Sequence, residues 1–478
     1  MLRTRILSLL ALSALNVAAA RGDIRCPADA INVGPTDSIQ AAVDKAGEKA
    51  SICLRSGTFR SQAIRPLYGQ KFFGQTGAVL NGSVLQSGFT QRGRIWAAPA
   101  RMARTFQSGI CAANAPLCDL PGAVFFDDMP LTRVGSLVNL ASGQYAYDAA
   151  ASELYIADDP SGHTVEVATA IFAFGDTADD VSIDGLVIEK YASPAQRGAI
   201  NALGRSGWSI TNCEVRLNRG AGIILGSDGR VTSCNIHHNG QLGIGGEGSG
   251  ITIEGSEIHS NNTGGFDFGW EAGGVKIGSG ESVVLRNNRV HDNVGAGLWC
   301  DIDCREVLYE GNEVTKNHGA GIFFEISSGA VIRNNRLAGN GIADRKWFWG
   351  ADIQIAAAEN VEVYNNTIAV SPGGCGVVLI DQGRKSDSGR VYKTRNNYVH
   401  DNNVTFAEEP CAGGASDVSI LNENFRVITE GNNRFDSNVF VAPKQYSGGS
   451  RFVWGHDTMD WHGFRALGQE RNGRLVEQ

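Results

Sequence analysis

Three acidic side chains stand near the ends of two similar segments, GLWCDID and GIFFEIS, which contain Asp301, Asp303 and Glu325. If the two segments stack, their carboxyl groups become neighbours, and like charges that close raise the pKa of at least one of them. Cleavage of a glycosidic bond needs one protonated and one ionised carboxyl group, as general acid and as base or nucleophile. Stacked Asp301 and Glu325 favour retention at the anomeric carbon, whereas a diagonal Asp303–Glu325 pair favours inversion.

Lys276 supports a different chemistry, because it occupies the segment GVKIG one repeat earlier. As a base it would abstract the proton next to the carboxylate of a uronate, which is the first step of a polysaccharide lyase or epimerase. Asp301, Asp303 and Glu325, or Glu271, would then hold a calcium ion that neutralises the substrate. The hydrolase needs no metal or cofactor. The acidic balance of the chain and the few basic groups on this face favour the hydrolase over the lyase. A third interpretation is a glycan-binding surface protein without catalysis.

Two insertions flank the acidic segments, at residues 261–273 and 341–350. Both are rich in aromatic side chains, and both add charged residues, namely Asp267, Arg345 and Lys346. Aromatic walls beside converging carboxyl groups suit a sugar, whose ring faces are apolar and whose edges are polar. The predicted substrate-binding residues are Trp299, Phe323, Trp270, Glu271, Trp347, Trp349 and Asp352.

A repeat must position these residues, and it runs from about Ser209 to Asn402 with tightest spacings of 21 to 24 residues. Each repeat opens with a glycine before a short apolar strand; these glycines are Gly222, Gly243, Gly274, Gly297, Gly321, Gly350 and Gly376. Short strands and turns without intervening helices predict a β-solenoid. Stacking the glycines places Asp301 beside Glu325 and Lys276 beside Trp299. It also places Asp352 beside Phe323, and Gln354 beside Glu325.

Alternation along the strands predicts which side chains face inward. The inward pairs are Ile223/Leu225, Val275/Ile277, Leu298/Cys300 and Ile322/Phe324, followed by Ile302 and Ile326. A polar series before one turn predicts an internal amide ladder, built from Asn288, Asn312, Asn335, Asn366 and Asn397. Cys213 and Cys234 hold equivalent positions earlier in the chain, which predicts either a stacked contact or a bridge. Histidines that recur with the turns are interpreted as structural.

Composition limits the remaining possibilities. Residues 1–20 combine a basic start, an apolar stretch and Ala18-Ala19-Ala20, which predicts a signal peptide and a secreted, extracellular or periplasmic protein without a membrane span. Net charge −8 argues against nucleic acid as a partner. Ten cysteines fit an oxidising compartment, with Cys26–Cys53, Cys111–Cys118 and Cys375–Cys411 as plausible bridges whose pairing stays open.

The predicted organisation has three parts after the signal peptide: a cap with irregular early rungs at 21–180, the regular β-helix at 181–450, and a cap at 451–478. SIQAAVDKAG at 38–47 and the segment 457–467 are predicted to be capping helices. YDAAASELYIADDP predicts a hairpin. The oligomeric state stays open.

The helical SIQAAVDKA before a strand, the short rungs and the turns NNRVHDN, GNEVTKN and NNRLAGN resemble the pectate-lyase-like superfamily of right-handed parallel β-helix proteins. The resemblance covers most of the mature chain. It implies an all-β solenoid with helical caps, and the superfamily includes hydrolases, lyases, epimerases and tailspike-like binders. The chain lacks the Asn-Thr-Asp, Asp-Asp, Gly-His-Gly and Arg-Ile-Lys motifs of polygalacturonases and the basic motifs of pectate lyases. We therefore expect a carbohydrate-active protein acting on a polysaccharide or oligosaccharide.

Overall fold

The structure is a computed structural model that describes residues 26–343, 347–422, 425–446 and 451–478. Its strands coil into three parallel sheets, and strands of successive rungs pair in register. This confirms the predicted all-β, right-handed parallel β-helix. The predicted signal peptide at 1–20, and Arg345 and Lys346, lie outside the described residues. Among the helices that the structure describes, none has the length and apolarity that a bilayer crossing requires.

Sheet A carries the acidic segments. Its strands are Gly198–Asn201, Ala221–Leu225, Leu242–Ser249, the first half of Gly273–Arg286, Ala296–Asp301, Ile322–Glu325, Ala351–Ala356, Cys375–Asp381, Cys411–Ser416 and Arg451–Gly455. Sheet B follows it in each rung. Its strands are Ile31–Val33, Ser51–Leu54, Lys71–Gly74, Ser182–Asp184, Ser209–Thr211, Arg230–Thr232, Thr252–Glu254, the second half of Gly273–Arg286, Arg305–Glu310, Ser328–Arg333, Glu359–Tyr364, Tyr398–His400 and Arg434–Asp436.

Sheet C completes each rung. Its strands are Gly57–Arg60, Ala78–Asn81, Val187–Glu189, Glu214–Arg216, Asn235–His237, Glu257–His259, Arg289–His291, Glu313–Thr315, Arg336–Ala338, Thr367–Val370, Asn403–Phe406, Val439–Ala442 and Arg474–Glu477. The predicted inward pairs are all buried in the single core that the three sheets enclose. The solenoid therefore presents the opposite side chains of sheet A to its surroundings.

An insertion departs from the coil between the early rungs and Val181. It forms two small sheets whose strands are Ser83–Leu85, Thr90–Arg92, Ile95–Pro99, Val124–Phe126, Met129–Pro130, Thr132–Arg133, Gln144–Asp148, Glu153–Ile156 and Val165–Ala168. The predicted hairpin is confirmed, because Gln144–Asp148 pairs antiparallel with Glu153–Ile156. The insertion has its own apolar cluster, and it packs against the coil from the first rungs as far as the loop that contains Gly265.

Helices cover both ends of the coil, as predicted. Ile39–Ala46 is capped by Ser38, whose side chain accepts from the backbone N–H of Ala41. Trp461–Ala466 is capped by Asp460 and buries Trp461 and Phe464.

The C-terminal segment is more than a cap, however, since its strands at 451–455 and 474–477 still extend sheets A and C. Residues Asp457–Met459, predicted as part of the C-terminal helix, instead form a strand that pairs antiparallel with Arg451–Gly455. The remaining helical elements are Phe268–Glu271, Val427–Glu430 and Lys444–Tyr446.

Asparagine ladders hold the turns. Asn288, Asn312, Asn335 and Asn366 stack as predicted, each amide donating to the next side chain at 2.9–3.1 Å. Asn397 is a correction: Asn366 donates to Asn402, and Asn397 belongs to a separate ladder with Asn433. The prediction was wrong because two Asn residues five positions apart, at two corners of the coil, look alike in the sequence.

The cysteine predictions can also be resolved. Cys26–Cys53, Cys111–Cys118 and Cys375–Cys411 form disulfides. Cys213 and Cys234 are free, buried and stacked, with the backbone N–H of Cys213 3.4 Å from the sulfur of Cys234. Of the two alternatives left open there, the stacked contact is therefore the one observed.

Candidate active site

The outward row of sheet A brings a lysine and two aromatic rings together. Strand register places Lys276 beside Trp299 and Trp299 beside Phe323, as predicted. The ammonium nitrogen of Lys276 lies 4.0 Å from the centre of the Trp299 ring, which is a cation–π contact. The rings of Trp299 and Phe323 stack at 5.2 Å between centroids, with 18° between their planes. These three side chains therefore form one continuous stack on the outer side of sheet A, in which Lys276 and Trp299 are buried.

The carboxyl groups occupy the next outward row. Cys300 pairs with Phe324, so Asp301 and Glu325 follow on adjacent strands, which are about 4.8 Å apart in a sheet. Their surroundings are drier than solvated surface positions, because Asp301 is 5% exposed and Glu325 4%. The insertions shield them, and burial on an outward face of a solenoid requires such covering chains. The pair is thus enclosed rather than displayed on an open surface.

Asp301 is fixed from one side only. Its Oδ2 lies 3.0 Å from Nζ of Lys276, which also lies 3.0 Å from Oε1 of Glu271. Glu271 is held in turn by Gln196, which donates to its side chain, and by Gln241, which donates to its carbonyl at 2.7 Å. Oδ1 of Asp301 is buried without a hydrogen-bond partner in the described chain. A buried unpaired carboxylate oxygen is costly, so this atom is available to a ligand.

Glu325 has a different environment. Burial, and secondly the negative charge of Asp301, raise the pKa of Glu325 to about 8, against the opposing charges of Arg384 and Lys276. Arg384 forms an ion pair with Oε1 of Glu325 from the rim of the site. The indole N–H of Trp299 also lies near this carboxyl group and tends to lower its pKa, but it forms no hydrogen bond of regular geometry and is unpartnered among the described residues.

Asp303 does not join the pair. Its chain bends after Asp301, since Ile302 and Asp303 both adopt positive φ angles. Asp303 accepts hydrogen bonds from the hydroxyl groups of Tyr392 at 2.6 Å and Ser388 at 3.3 Å. The same bend corrects the prediction for Ile302 and Ile326, which pack with Tyr392 in a satellite cluster outside the main core.

The position predicted for Asp352 was also wrong. Phe323 pairs with Gln354 and Glu325 with Ala356, so the predicted alignment was shifted by two residues. The error arose from Gly350, which belongs to the loop, whereas Asp352 takes the position that Gly321 holds one rung earlier. Asp352 is buried and accepts from the side chain of Asn340 at 2.7 Å. Asp352 therefore ends an amide ladder. Gln354, predicted beside Glu325, instead lies beside Phe323, in the place predicted for Asp352.

The aromatic residues of the two insertions separate into three places. Trp349 approaches the site, with its ring edge-on to Phe323 at 6.4 Å between centroids. Trp347 lies on the other side of the same loop and is 51% exposed. Trp270 packs with Phe266 under the disulfide loop of Cys111–Cys118, and Asp267 caps the short helix that carries Glu271.

Sequence reasoning missed the segment that covers Glu325 and Asp303. Arg384, Ser388 and Tyr392 belong to the long connection between Cys375–Asp381 and Tyr398–His400. Its length was a signal, because insertions elsewhere in this repeat line the site. Its contacts could not be foreseen from periodicity. The same connection covers Asp381, which is fully buried and accepts from the backbone N–H of Thr394.

Among the described residues, no group of three or more His, Cys, Asp or Glu side chains has the arrangement of a metal site. The calcium set considered for a lyase would require Asp301, Asp303 and Glu325 to converge. Asp303 instead faces Tyr392, so this set is not preassembled.

Comparison with known proteins gives a family and a fold. The model of the right-handed β-helix region matches residues 198–368 and 302–458, more than half of the chain. A solved structure of the complex of XylC with xylose superposes with a TM-score of 0.65 at 13% identity, covering 92% of this chain and 83% of that one. The A-module of the mannuronan C-5 epimerase AlgE4 from Azotobacter vinelandii gives a TM-score of 0.49 at 14% identity, covering 88% and 93%. No curated protein sequence matches significantly.

Proposed function

The chain belongs to the right-handed β-helix family, and from its site we propose that it is a secreted carbohydrate-active enzyme, specifically a retaining glycoside hydrolase. Glu325 is the general acid and Asp301 the nucleophile. One observation carries the proposal: two carboxyl groups on adjacent strands are equally buried but differ in the positive charge beside them, a buried lysine for Asp301 and a half-exposed arginine for Glu325. Glu325 is buried with its pKa raised to about 8, whereas Asp301 is ion-paired with Lys276 at 3.0 Å. Such divergence assigns acid and base roles within a carboxyl pair.

The cleavage step follows from these environments. Glu325, protonated at neutral pH, transfers its proton to the glycosidic oxygen as the bond to the anomeric carbon breaks. Asp301 attacks that carbon through its unpartnered Oδ1 and forms a glycosyl ester. Water, deprotonated by Glu325, then displaces Asp301 and releases the sugar. Adjacent strands place the carboxyl groups at roughly the 5–5.5 Å of retaining enzymes.

The neighbouring residues suit a sugar ring. Phe323 is half-buried and stacks on Trp299, Trp349 lies edge-on to Phe323, and Gln354 lies next in the same row. The indole N–H of Trp299 has no partner in the described structure, so it can donate to a ring hydroxyl or to the carboxyl pair. Arg384 must move from Glu325 before that proton is transferred. Its half-exposed side chain, 45% accessible, permits this movement.

A uronate lyase or epimerase is the second candidate. It is favoured by the buried position of Lys276 beside the carboxyl groups of Asp301 and Glu271. It ranks lower because a base must be a neutral amine, and the Lys276 ammonium group is committed to ion pairs with Asp301 and Glu271. In this alternative calcium would neutralise the substrate carboxylate, with Asp301, Asp303 and Glu325 as the predicted ligands.

The deciding experiment is digestion of a panel of neutral and uronate polysaccharides by the mature protein, with and without EDTA. The hydrolase produces reducing ends without ultraviolet absorbance, is indifferent to EDTA, and releases a product of retained anomeric configuration by proton NMR. Absorbance of unsaturated uronate that disappears with EDTA would replace the hydrolase by the lyase. Binding of a glycan without any shortening would replace both by a glycan-binding protein. Glu325→Gln is the control for contaminating activity.

A further inference from the structure

A cavity of about 150 Å³ lies on sheet A, beyond the candidate active site toward the C-terminus. Its floor consists of the outward residues Ala415, Val453 and Gly455, and Trp347 forms one wall. Glu325, Ala356, Ile380 and Ala415 follow one another on adjacent strands. Three strand spacings, roughly 14 Å, therefore separate the acid from this floor.

The aromatic loop divides the cavity from the active site. Phe348 is buried in the apolar cluster on the outer face of sheet A, which also contains Ala356 and Ala415. On one side of it, Trp349 contacts Phe323. On the other side, Trp347 lines the cavity with a positive φ angle of 57°, which is rare for a bulky residue and marks local strain typical of functional sites. The two sites therefore have separate floors and separate aromatic walls.

Two polar atoms of the cavity lining have no hydrogen-bond partner within the described ranges. The hydroxyl group of Ser416, a residue that is 4% exposed, is one of them. The other is the buried Nε of Arg451, a residue whose Nη2 donates to the Gly373 carbonyl at 3.3 Å and whose charge Glu409 balances at 3.7 Å. Buried polar groups are normally satisfied, so a free hydroxyl group and a free guanidinium N–H beside an exposed indole indicate a polar ligand with an apolar face.

We propose that this cavity is a second sugar-binding site that holds one neutral pyranose ring, stacked on Trp347 and hydrogen-bonded to Ser416 and Arg451. A cavity of about this volume accommodates a six-membered ring. The ion pair between Arg451 and Glu409 leaves no net charge for a uronate, which favours a neutral ring. The ligand class rests on the proposed function, but the binding does not require the catalytic pair. Such a site would anchor one part of a glycan while another part is cleaved.

The test is fluorine NMR of the full chain labelled with 5-fluorotryptophan, with Trp347→Phe and Trp299→Phe assigning the two informative resonances. The probes are methyl glycosides of glucose, xylose, galactose and mannose, with methyl glucuronide for comparison. We expect a saturable shift of the Trp347 resonance with at least one neutral glycoside. Because Trp299 reports on the active site independently, silence at Trp347 overturns the second site whatever Trp299 does.

Two substitutions locate the binding. Ser416→Leu fills the cavity from within, and Thr458→Trp fills it from the exposed edge without touching the core, in case the first variant fails to fold. Both should abolish the Trp347 shift, whereas Ser419→Leu, an exposed serine outside the cavity, should retain it. A shift that persists in both filled variants, or one produced only by the glucuronide, would contradict the proposal.

Discussion

At the scale of single residues, the molecule makes two carboxyl groups different without any unusual residue. Glu325 is enclosed by an insertion, and removal from water penalises its charged form. Asp301 has the same burial but receives the Lys276 ammonium group at 3.0 Å. The positive charge that pairs with Glu325 is the guanidinium group of Arg384, whose side chain is half-exposed. The division of roles thus depends on which neighbour carries the fixed positive charge.

Removing the acid tests this division. Glu325→Gln preserves size and burial but cannot donate a carboxylic proton, so we expect kcat to fall by roughly a hundredfold to ten-thousandfold with an unchanged circular dichroism spectrum. Asp352→Asn is the matched control, since an amide oxygen can still accept from Asn340 and we expect activity near wild type. Turnover in Glu325→Gln that equals wild type would remove Glu325 from the mechanism.

The pH profile tests the environment of Glu325. Its pKa of about 8 means that the acid stays protonated at neutral pH and that kcat/KM declines as the pH rises through about 8. Arg384 lowers this pKa, so Arg384→Met should move the alkaline limb to higher pH. Lys385→Met, an exposed neighbour, should leave the limb in place. If the alkaline limb of the kcat/KM profile moves to lower pH or stays fixed in Arg384→Met, Glu325 is not the group that titrates there.

At the scale of elements, the strands and turns hold the site by repetition. Each ladder asparagine satisfies groups on both neighbouring rungs; Asn312 donates to the Leu285 carbonyl of the preceding rung at 2.8 Å and to the side chain of Asn335 on the next rung at 3.0 Å. Sheet A therefore cannot slip by a residue without breaking every ladder. The loops that surround the carboxyl pair add to this frame: the Cys111–Cys118 segment pairs with the loop carrying Glu271 through Ala112 and Gly265.

Removing one ladder asparagine tests how much the ladders contribute to stability. Asn312→Ala leaves buried groups of two rungs unpaired, at about 1–3 kcal/mol for each unsatisfied group. We expect a clear loss of thermal stability, measured as Tm by scanning calorimetry. Asn403→Ala, on the exposed face of a sheet C strand, should change Tm little. Equal Tm values for the two variants would mean that water replaces the ladder bonds at no cost.

At the scale of the whole molecule, the solenoid must terminate its ladders. The series through Asn402 and Asn438 ends at Glu470, whose carboxyl group accepts from the Asn438 side chain at 2.5 Å. Burial raises the pKa of Glu470 to about 8. The folded state therefore retains a proton that the unfolded chain loses above its ordinary pKa of 4.5. This contribution to stability is complete below about pH 4.5 and declines as the pH rises toward 8.

Replacing this end group tests the account. Glu470→Gln cannot ionise, and it keeps one of the two oxygens that accept from the side chain and the backbone N–H of Asn438. Its Tm should therefore exceed that of wild type at pH 8, and the difference should shrink toward pH 4.5. Glu477→Gln, in the last strand and exposed, serves as control. A lower Tm for Glu470→Gln at pH 8 would show that the ionised carboxylate is the stabilising form.

The sequence determined the coil, because strand alternation and stacked asparagines repeat locally and each rung specifies its neighbour. It therefore also determined that Lys276, Trp299 and Phe323 share a row and that Asp301 precedes Glu325 by one rung. Only the tertiary structure decided what covers them. Insertions have no periodicity, so neither Arg384 on Glu325 nor Tyr392 on Asp303 could be read from spacing, and a loop glycine at 350 misaligned Asp352. Both carboxyl groups owe their burial to those non-repeating contacts, and the Lys276 ammonium group beside Asp301 then separates them chemically.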